Sequence, residues 1–171
     1  MVYEDEVYDH MRYHLRGANS RYNLAGKRSM RFKFNRNREF QARDMFGQKY
    51  TATWRNLNIS KMFDNFNTYN FGMVETIDGM LYELGGTPAP RTHWFQLRVI
   101  DKEAEAPTSA NGQYYGDFWG LFLALEDYDG AFLSTRGLPD GNLYKLSDRQ
   151  DGYGELRHQG RDSVSDTSDM N

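Results

Sequence analysis

His10-Met11-Arg12-Tyr13-His14-Leu15-Arg16 alternates, and so does Met30-Arg31-Phe32-Lys33-Phe34-Asn35. In the first run Met11, Tyr13 and Leu15 share one face, and Arg12, His14 and Arg16 share the other. In the second, Met30, Phe32 and Phe34 stand against Arg31, Lys33 and Asn35. Successive side chains of a strand point to opposite faces, so a period of two marks a half-buried strand. Residues 17–26 separate the runs, a polar stretch with Gly17 and Gly26 at its ends, which is turn-forming material. The two runs predict a long antiparallel hairpin with a polar tip.

Outward from this hairpin, residues 35–48 are a charged connection and 54–59 a short strand. Val74, Ile77, Leu81 and Leu84 recur at steps of three and four, the spacing of an amphipathic helix. Gly85-Gly86 ends that helix and Pro88 stops it restarting. Residues 94–100 alternate as a strand, and 101–113 form a polar loop. Residues 118–125, bounded by Asp117 and Glu126, are almost continuously apolar; their length and aromatic content predict a central buried strand. A turn at 137–142 leads to a short strand at 143–146. From Arg161 the chain is Ser, Asp, Thr and Asn with little to bury, which predicts a disordered tail over 161–171. The tally is about six strands and one main helix. That is an α+β class with a mostly antiparallel sheet, organised as one domain over 1–160. Helical pattern is scarce after Gly86, and no internal repeat is present.

The 171 residues suit one domain able to bury a core without staples. Aromatics make up 15% of the chain, although its mean hydropathy is −0.84. That combination fits a globular chain and argues against wholesale disorder. A net charge of −3 gives the whole chain no electrostatic case for nucleic acid. Cations nevertheless gather between Arg12 and Arg43, among them Arg16, Lys27, Arg31 and Lys33. Such a cluster suits a polyanion such as a nucleoside triphosphate, or a solvated face. The absence of cysteine excludes disulfides, thiolate metal sites and a cysteine nucleophile. No apolar run approaches the roughly 18 residues of a membrane span.

Glu126 and Asp129 follow the central apolar run. Carboxylates at a strand end suit metal binding or general-base work, because the strand fixes their position; strand-end turns also carry such acids for solubility. The loop at 17–26, between Arg16 and Lys27, could cradle phosphates with its amides or be a solvated hairpin tip. It matches neither of the common glycine-rich phosphate loops. Lys33 could reach a phosphate or guard a sheet edge. His10, His14, His93 and His158 lack metal-ligand spacing and are read as structural. No Ser-His-Asp grouping is present.

Several blocks, in order, resemble the spore-coat CotH kinase family. Arg16-Gly17-Ala18-Asn19-Ser20 is similar to its R-G-x-x-S loop, and Lys27-Arg28-Ser29-Met30-Arg31-Phe32-Lys33-Phe34 to its K-K-x-x-x-x-K-F strand. Leu57-Asn58 resembles its L-N-L-N segment. Gly85-Gly86-Thr87-Pro88-Ala89-Pro90-Arg91 resembles its G-x-P-A-P-R turn. Gly120, Glu126, Asp129, Phe132 and Leu133 fall as in G-L-Y-x-x-x-E-x-x-D-x-x-F-L, and Gly141-Asn142-Leu143-Tyr144-Lys145 matches G-N-L-Y-K.

The resemblance implies the N-terminal lobe and central part of an atypical protein-kinase-like fold, with a C-terminal helical part missing. It implies transfer of a phosphoryl group from ATP, with Mg²⁺ or Mn²⁺, to Ser or Thr of a secreted, coat or surface protein. On it Asp129 is the catalytic acid/base and Glu126 its neighbour. Arg16, Ser20, Lys27 and Lys33 bind the nucleotide. Where the family has an Asp-Leu pair, this chain reads Glu155-Leu156, so the metal falls to Asp129 with Glu155, or with Asp151. The family helix usually carries an early Arg, which this chain lacks between Phe63 and Leu84. Two other readings stand beside this one. The first is a surface adhesion or binding module using the aromatic loop 114–119, although Phe118 and Trp119 are expected in the core. The second is an inactive remnant.

Overall fold

The computed structural model describes residues 1–16, 28–60, 62, 72–100, 118–139, 141–145 and 155–159. The chain opens with a small hairpin of β1 (Val2–Tyr3) and β2 (Glu6–Val7). Its turn residues Glu4 and Asp5 have φ of 45° and 65°, the left-handed backbone that suits a tight hairpin turn. Next come β3 (Arg12–Leu15), β4 (Met30–Lys33) and β5 (Asn56–Ser60), then helix α1 (Met73–Leu84). Strands β6 (Thr92–Arg98) and β7 (Phe118–Leu125) follow. Together β3, β4, β5, β7 and β6, in that spatial order, form an antiparallel five-stranded sheet.

The register sorts the sheet's side chains. One face carries Tyr13, Phe32 and Leu57 in one cross-strand row and Leu15, Met30, Ile59, Ala124 and His93 in the next. Over β4, β5 and β7 this face builds the core with Tyr8, Phe34, Phe40, Trp54 and Phe122, whereas Tyr13 and Leu15 on the edge strand β3 stay exposed. Phe34 stacks on Phe40 with ring centroids 5.6 Å apart, and Phe95 on Phe122 at 6.0 Å. Burying such rings dominates the stabilisation of a small sheet. The opposite face carries Arg12, Lys33 and Asn56 in one row and His14, Arg31, Asn58, Leu125 and Thr92 in the next.

Helix α1 begins at Gly72, whose φ of 77° is left-handed. It meets β6 on the second face, where Trp94 Nε1 donates to Thr76 Oγ1 at 3.1 Å. The chain divides into two compact units, Met1–Leu125 and Glu126–Asn171. The second holds helix α2 (Gly130–Ser134) and a hairpin of β8 (Asn142–Lys145) and β9 (Glu155–Gln159).

The fold is α+β and mostly antiparallel, as expected. Four expectations need correction. Strand β3, expected to be half-buried, is exposed at all four residues, Tyr13 at 70% and Leu15 at 43%. Strand β4 lies between β3 and β5, so Lys33 guards no sheet edge. The apolar run Phe118–Leu125 is an interior strand, yet only Phe122, Leu123 and Ala124 are buried in it. Phe118 and Trp119, expected in the core, are 40% and 44% exposed. A register shift opposite Leu97 and Arg98 and a Gly120 φ of 96° interrupt the regular pleat here, as a β-bulge does. The hairpin loop 17–26, the polar loop 101–113 and the tail lie outside the described residues.

Candidate functional site

In the first unit, strand alternation sets the cations in a patch. Lys33 is paired directly opposite Arg12, and Arg31 opposite His14, all four on the face away from the core. Arg12, His14 and Lys33 are exposed. The next strand continues the patch with Asn56 and Asn58, which are buried. Arg12, Arg31 and Lys33 give this sheet face three permanent positive charges, the sign that attracts a polyphosphate. Arg16 follows β3, and its amide donates to the Ser29 carbonyl at 2.9 Å, so the strand pair extends to the base of the loop. Ser20 and Lys27 lie outside the described residues.

In the second unit, Glu126 and Asp129 have different surroundings. Glu126 is held by Arg136: Nη2 donates to Oε2 at 2.7 Å and Nη1 to Oε1 at 3.2 Å. The two side chains are 6% and 7% exposed. Arg136 also donates to the Phe132 carbonyl at 3.2 Å, and its guanidinium lies 4.0 Å from the Phe132 ring centroid. A two-point fork of this kind fixes orientation as well as charge. Glu126 therefore acts as an internal counter-ion that braces the turn.

Asp129 caps α2. Its Oδ1 accepts from the amides of Ala131 at 2.9 Å and Phe132 at 3.2 Å. A helix N-terminus leaves such amides without intrahelical partners, and an aspartate side chain satisfies them. The cap turns the carboxylate to a set direction at the half-buried head of α2. Beside it, burial pushes the Tyr128 phenol above its ordinary range, while the nearby Arg136 charge pulls it down. Glu155 begins β9, and its side chain lies outside the described residues, as does Asp151. Among the described residues no three His, Cys, Asp or Glu gather as metal ligands.

Sequence reasoning missed Arg136. Its role depends on the chain folding back through α2, and an arginine ten residues after a glutamate carries no signal of that. Asn56 was missed as well, although it lies on the same sheet face as Asn58 and follows from that strand's alternation.

A family model described as CotH kinase protein matches residues 13–170. No curated protein and no solved structure matches the chain. No helix among the described residues is long and apolar enough to cross a membrane.

Proposed function

The chain belongs to the CotH kinase protein family, and on that premise we propose that it transfers a phosphoryl group from ATP to a Ser or Thr hydroxyl of a coat, secreted or surface protein. The observation that carries this reading is the fixed carboxylate of Asp129, directed by two backbone amides at the head of α2. Phosphoryl transfer asks little covalent chemistry of a protein; it asks for positioning and charge. Asp129 is assigned to accept the proton of the attacking hydroxyl. Lys33, with Arg16, Lys27 and Ser20, is assigned to the nucleotide phosphates, and Arg12 and Arg31 add positive charge on the same sheet face as Lys33. Glu126 holds Arg136 and braces the turn that bears Asp129.

A divalent ion, Mg²⁺ or Mn²⁺, would neutralise charge developing on the phosphates. Asp129 supplies the hard-oxygen donor chemistry for it, and the resemblance adds Glu155.

The reading is tested by thermal shift with ATP and either metal. A ligand at 100 times its Kd adds about 2.7 kcal/mol, worth a few degrees in a domain of this size. The native chain should show a metal-dependent shift, and Lys33→Met should reduce it. A cooperatively melting chain that no ATP–metal mixture shifts would remove the nucleotide site from the account.

A further inference from the structure

Strand β3 closes one side of the five-stranded sheet, and β6 closes the other. Which way the backbone of β3 turns follows from one bond just beyond its end. Arg16 stands opposite Ser29 in the register that pairs Leu15 with Met30, and its amide donates to the Ser29 carbonyl at 2.9 Å. In an antiparallel pair, bonded and unbonded positions alternate. His14 and Arg12 therefore turn their amides and carbonyls to β4, and Leu15 and Tyr13 turn theirs outward. The far side of β4 agrees. The Phe34 amide donates to the Arg55 carbonyl at 2.9 Å, which sets Phe32 and Met30 toward β5 and leaves Lys33 and Arg31 for β3. Among the described residues no strand pairs with the open side of β3, and all four of its residues are exposed.

The apolar rows of the core face run to this edge and stop. Tyr13 continues the row of Phe32 and Leu57, and Leu15 that of Met30 and Ile59. The four inner residues are buried, whereas Tyr13 is 70% and Leu15 43% exposed. One more strand would cover both.

The other face of the edge is basic. Arg12, His14 and Arg16 alternate with Tyr13 and Leu15, and Arg31 and Lys33 stand behind them on β4. Asp9, the acid nearest in sequence, lies 3.5 Å from His10 and 3.8 Å from Arg38. A short, charged edge strand resists pairing with its own kind. Two copies joined antiparallel through Tyr13 and Leu15 would set Arg12, His14 and Arg16 against one another, and like charges directly opposite repel. The same cations favour an acidic strand. Residues opposite Arg12 and His14 would stand in the unbonded pairs, where side chains come closest.

We propose that the open edge of β3 takes up an extended acidic segment of a partner protein as a sixth strand, antiparallel like every other pairing in this sheet. Its backbone bonds to the amides and carbonyls of Tyr13 and Leu15. Its apolar side chains lie beside those two residues, and its Asp or Glu side chains lie beside Arg12 and His14. The segment therefore alternates acidic and apolar residues. This is recognition by strand addition. It stands on the edge alone and holds whether or not the chain transfers phosphate.

The test uses the full chain without nucleotide and a labelled nine-residue peptide in which Glu and Val alternate. Fluorescence anisotropy should show saturable binding, and at least tenfold weaker binding of the counterpart with Lys for Glu. A peptide of the same composition with its Glu residues grouped at one end should bind at least fivefold more weakly. Methylating the backbone nitrogens of the Val residues, which take the bonded positions, should weaken binding tenfold or more and needs no change to the protein. Leu15→Pro removes an outward amide without breaking a bond to β4; it should weaken binding fivefold or more, and Leu15→Thr, which keeps the amide, by less. Arg12→Gln should narrow the preference for Glu over Lys. Leu84→Ser, at an exposed position on α1, should change nothing. Circular dichroism melts confirm that each variant is folded. Three results would overturn the proposal. Equal binding of the Glu and Lys peptides would remove the acidic partner. Undiminished binding of the grouped or methylated peptide would reduce the contact to charge attraction without strand pairing. A chain that sediments as a dimer and becomes monomeric with Leu15→Pro would make a second copy the occupant.

Discussion

Arg136 closes on Glu126 from ten residues further along the chain, with Nη2–Oε2 at 2.7 Å and Nη1–Oε1 at 3.2 Å. The turn between them contains Asp129 and α2. Both charges are almost wholly buried, so removing one alone takes the two-point ionic partner from the other in a place water barely reaches. Arg136→Met should destabilise the region by about 3–5 kcal/mol, while Glu126→Leu with Arg136→Met should cost much less. Hydrogen exchange at the amides of Ala131, Phe132 and Leu133 reads this directly. Equal protection in the native chain and Arg136→Met would show that the pair braces nothing.

Asp129 has a capping role and a proposed chemical one, and two substitutions separate them. Asparagine caps a helix about as well as aspartate, whereas alanine at a cap costs about 0.5–2 kcal/mol. Asp129→Asn should therefore melt within a degree or so of the native chain, and Asp129→Ala should melt lower. If Asp129→Asn were the less stable of the two, the carboxylate's charge, and not its cap, would be holding α2.

Gly72 should resist replacement. Its φ is 77° and an added Cβ would stand 3.0 Å from Leu123 Cδ2 and 3.3 Å from Met62. A left-handed alanine costs about 1–2 kcal/mol before any clash. Gly72→Ala should thus lose about 1–3 kcal/mol in urea unfolding, and a neutral result would mean that the head of α1 relaxes freely.

His93 makes stability depend on pH. It is 3% exposed, lies among Tyr3, Phe40 and Phe95, and its Nδ1 is 3.1 Å from both the amide and the carbonyl of Arg43. Burial pushes its pKa below the ordinary 6.5, against the smaller opposing pull of the Arg43 backbone. The unfolded chain then takes up a proton near pH 6.5 that the folded chain refuses. The stability His93 contributes is complete above that pH and is lost as pH falls toward the lowered value. Unfolding free energy should fall from pH 7.5 to 5.5, and His93→Gln, though less stable throughout, should show a flatter slope. Parallel slopes would place the pH dependence elsewhere.

The hairpin was legible because alternation puts Tyr13, Phe32 and Met30 on one face, and the register bears this out. Burial follows for Met30 and Phe32 on β4, while Tyr13 on the edge strand stays exposed, which alternation cannot foretell. Helix α1 was legible from the spacing of Val74, Ile77, Leu81 and Leu84. Its docking side was not, since hydrophobic periodicity states which residues share a face and not what covers them. The β1–β2 turn was missed because Glu4 and Asp5, not glycine, take its left-handed positions. Helix α2 is five residues long, too short for a period, and its only sequence mark is the Asp129 cap. At the candidate site, the strand-end position of Glu126 was readable, and its neutralisation by Arg136 depended on tertiary contact.

The most direct measurement of the central claim is transfer of label from γ-labelled ATP, with Mg²⁺ or Mn²⁺, to a mixed library of Ser- and Thr-containing peptides. The native chain and Asp129→Asn are compared at equal foldedness. The account predicts incorporation by the native chain and a loss of about 100-fold or more in Asp129→Asn, the scale of removing a positioned general base. Equal incorporation by the two chains, or none from a native chain that also fails to bind ATP, would contradict it.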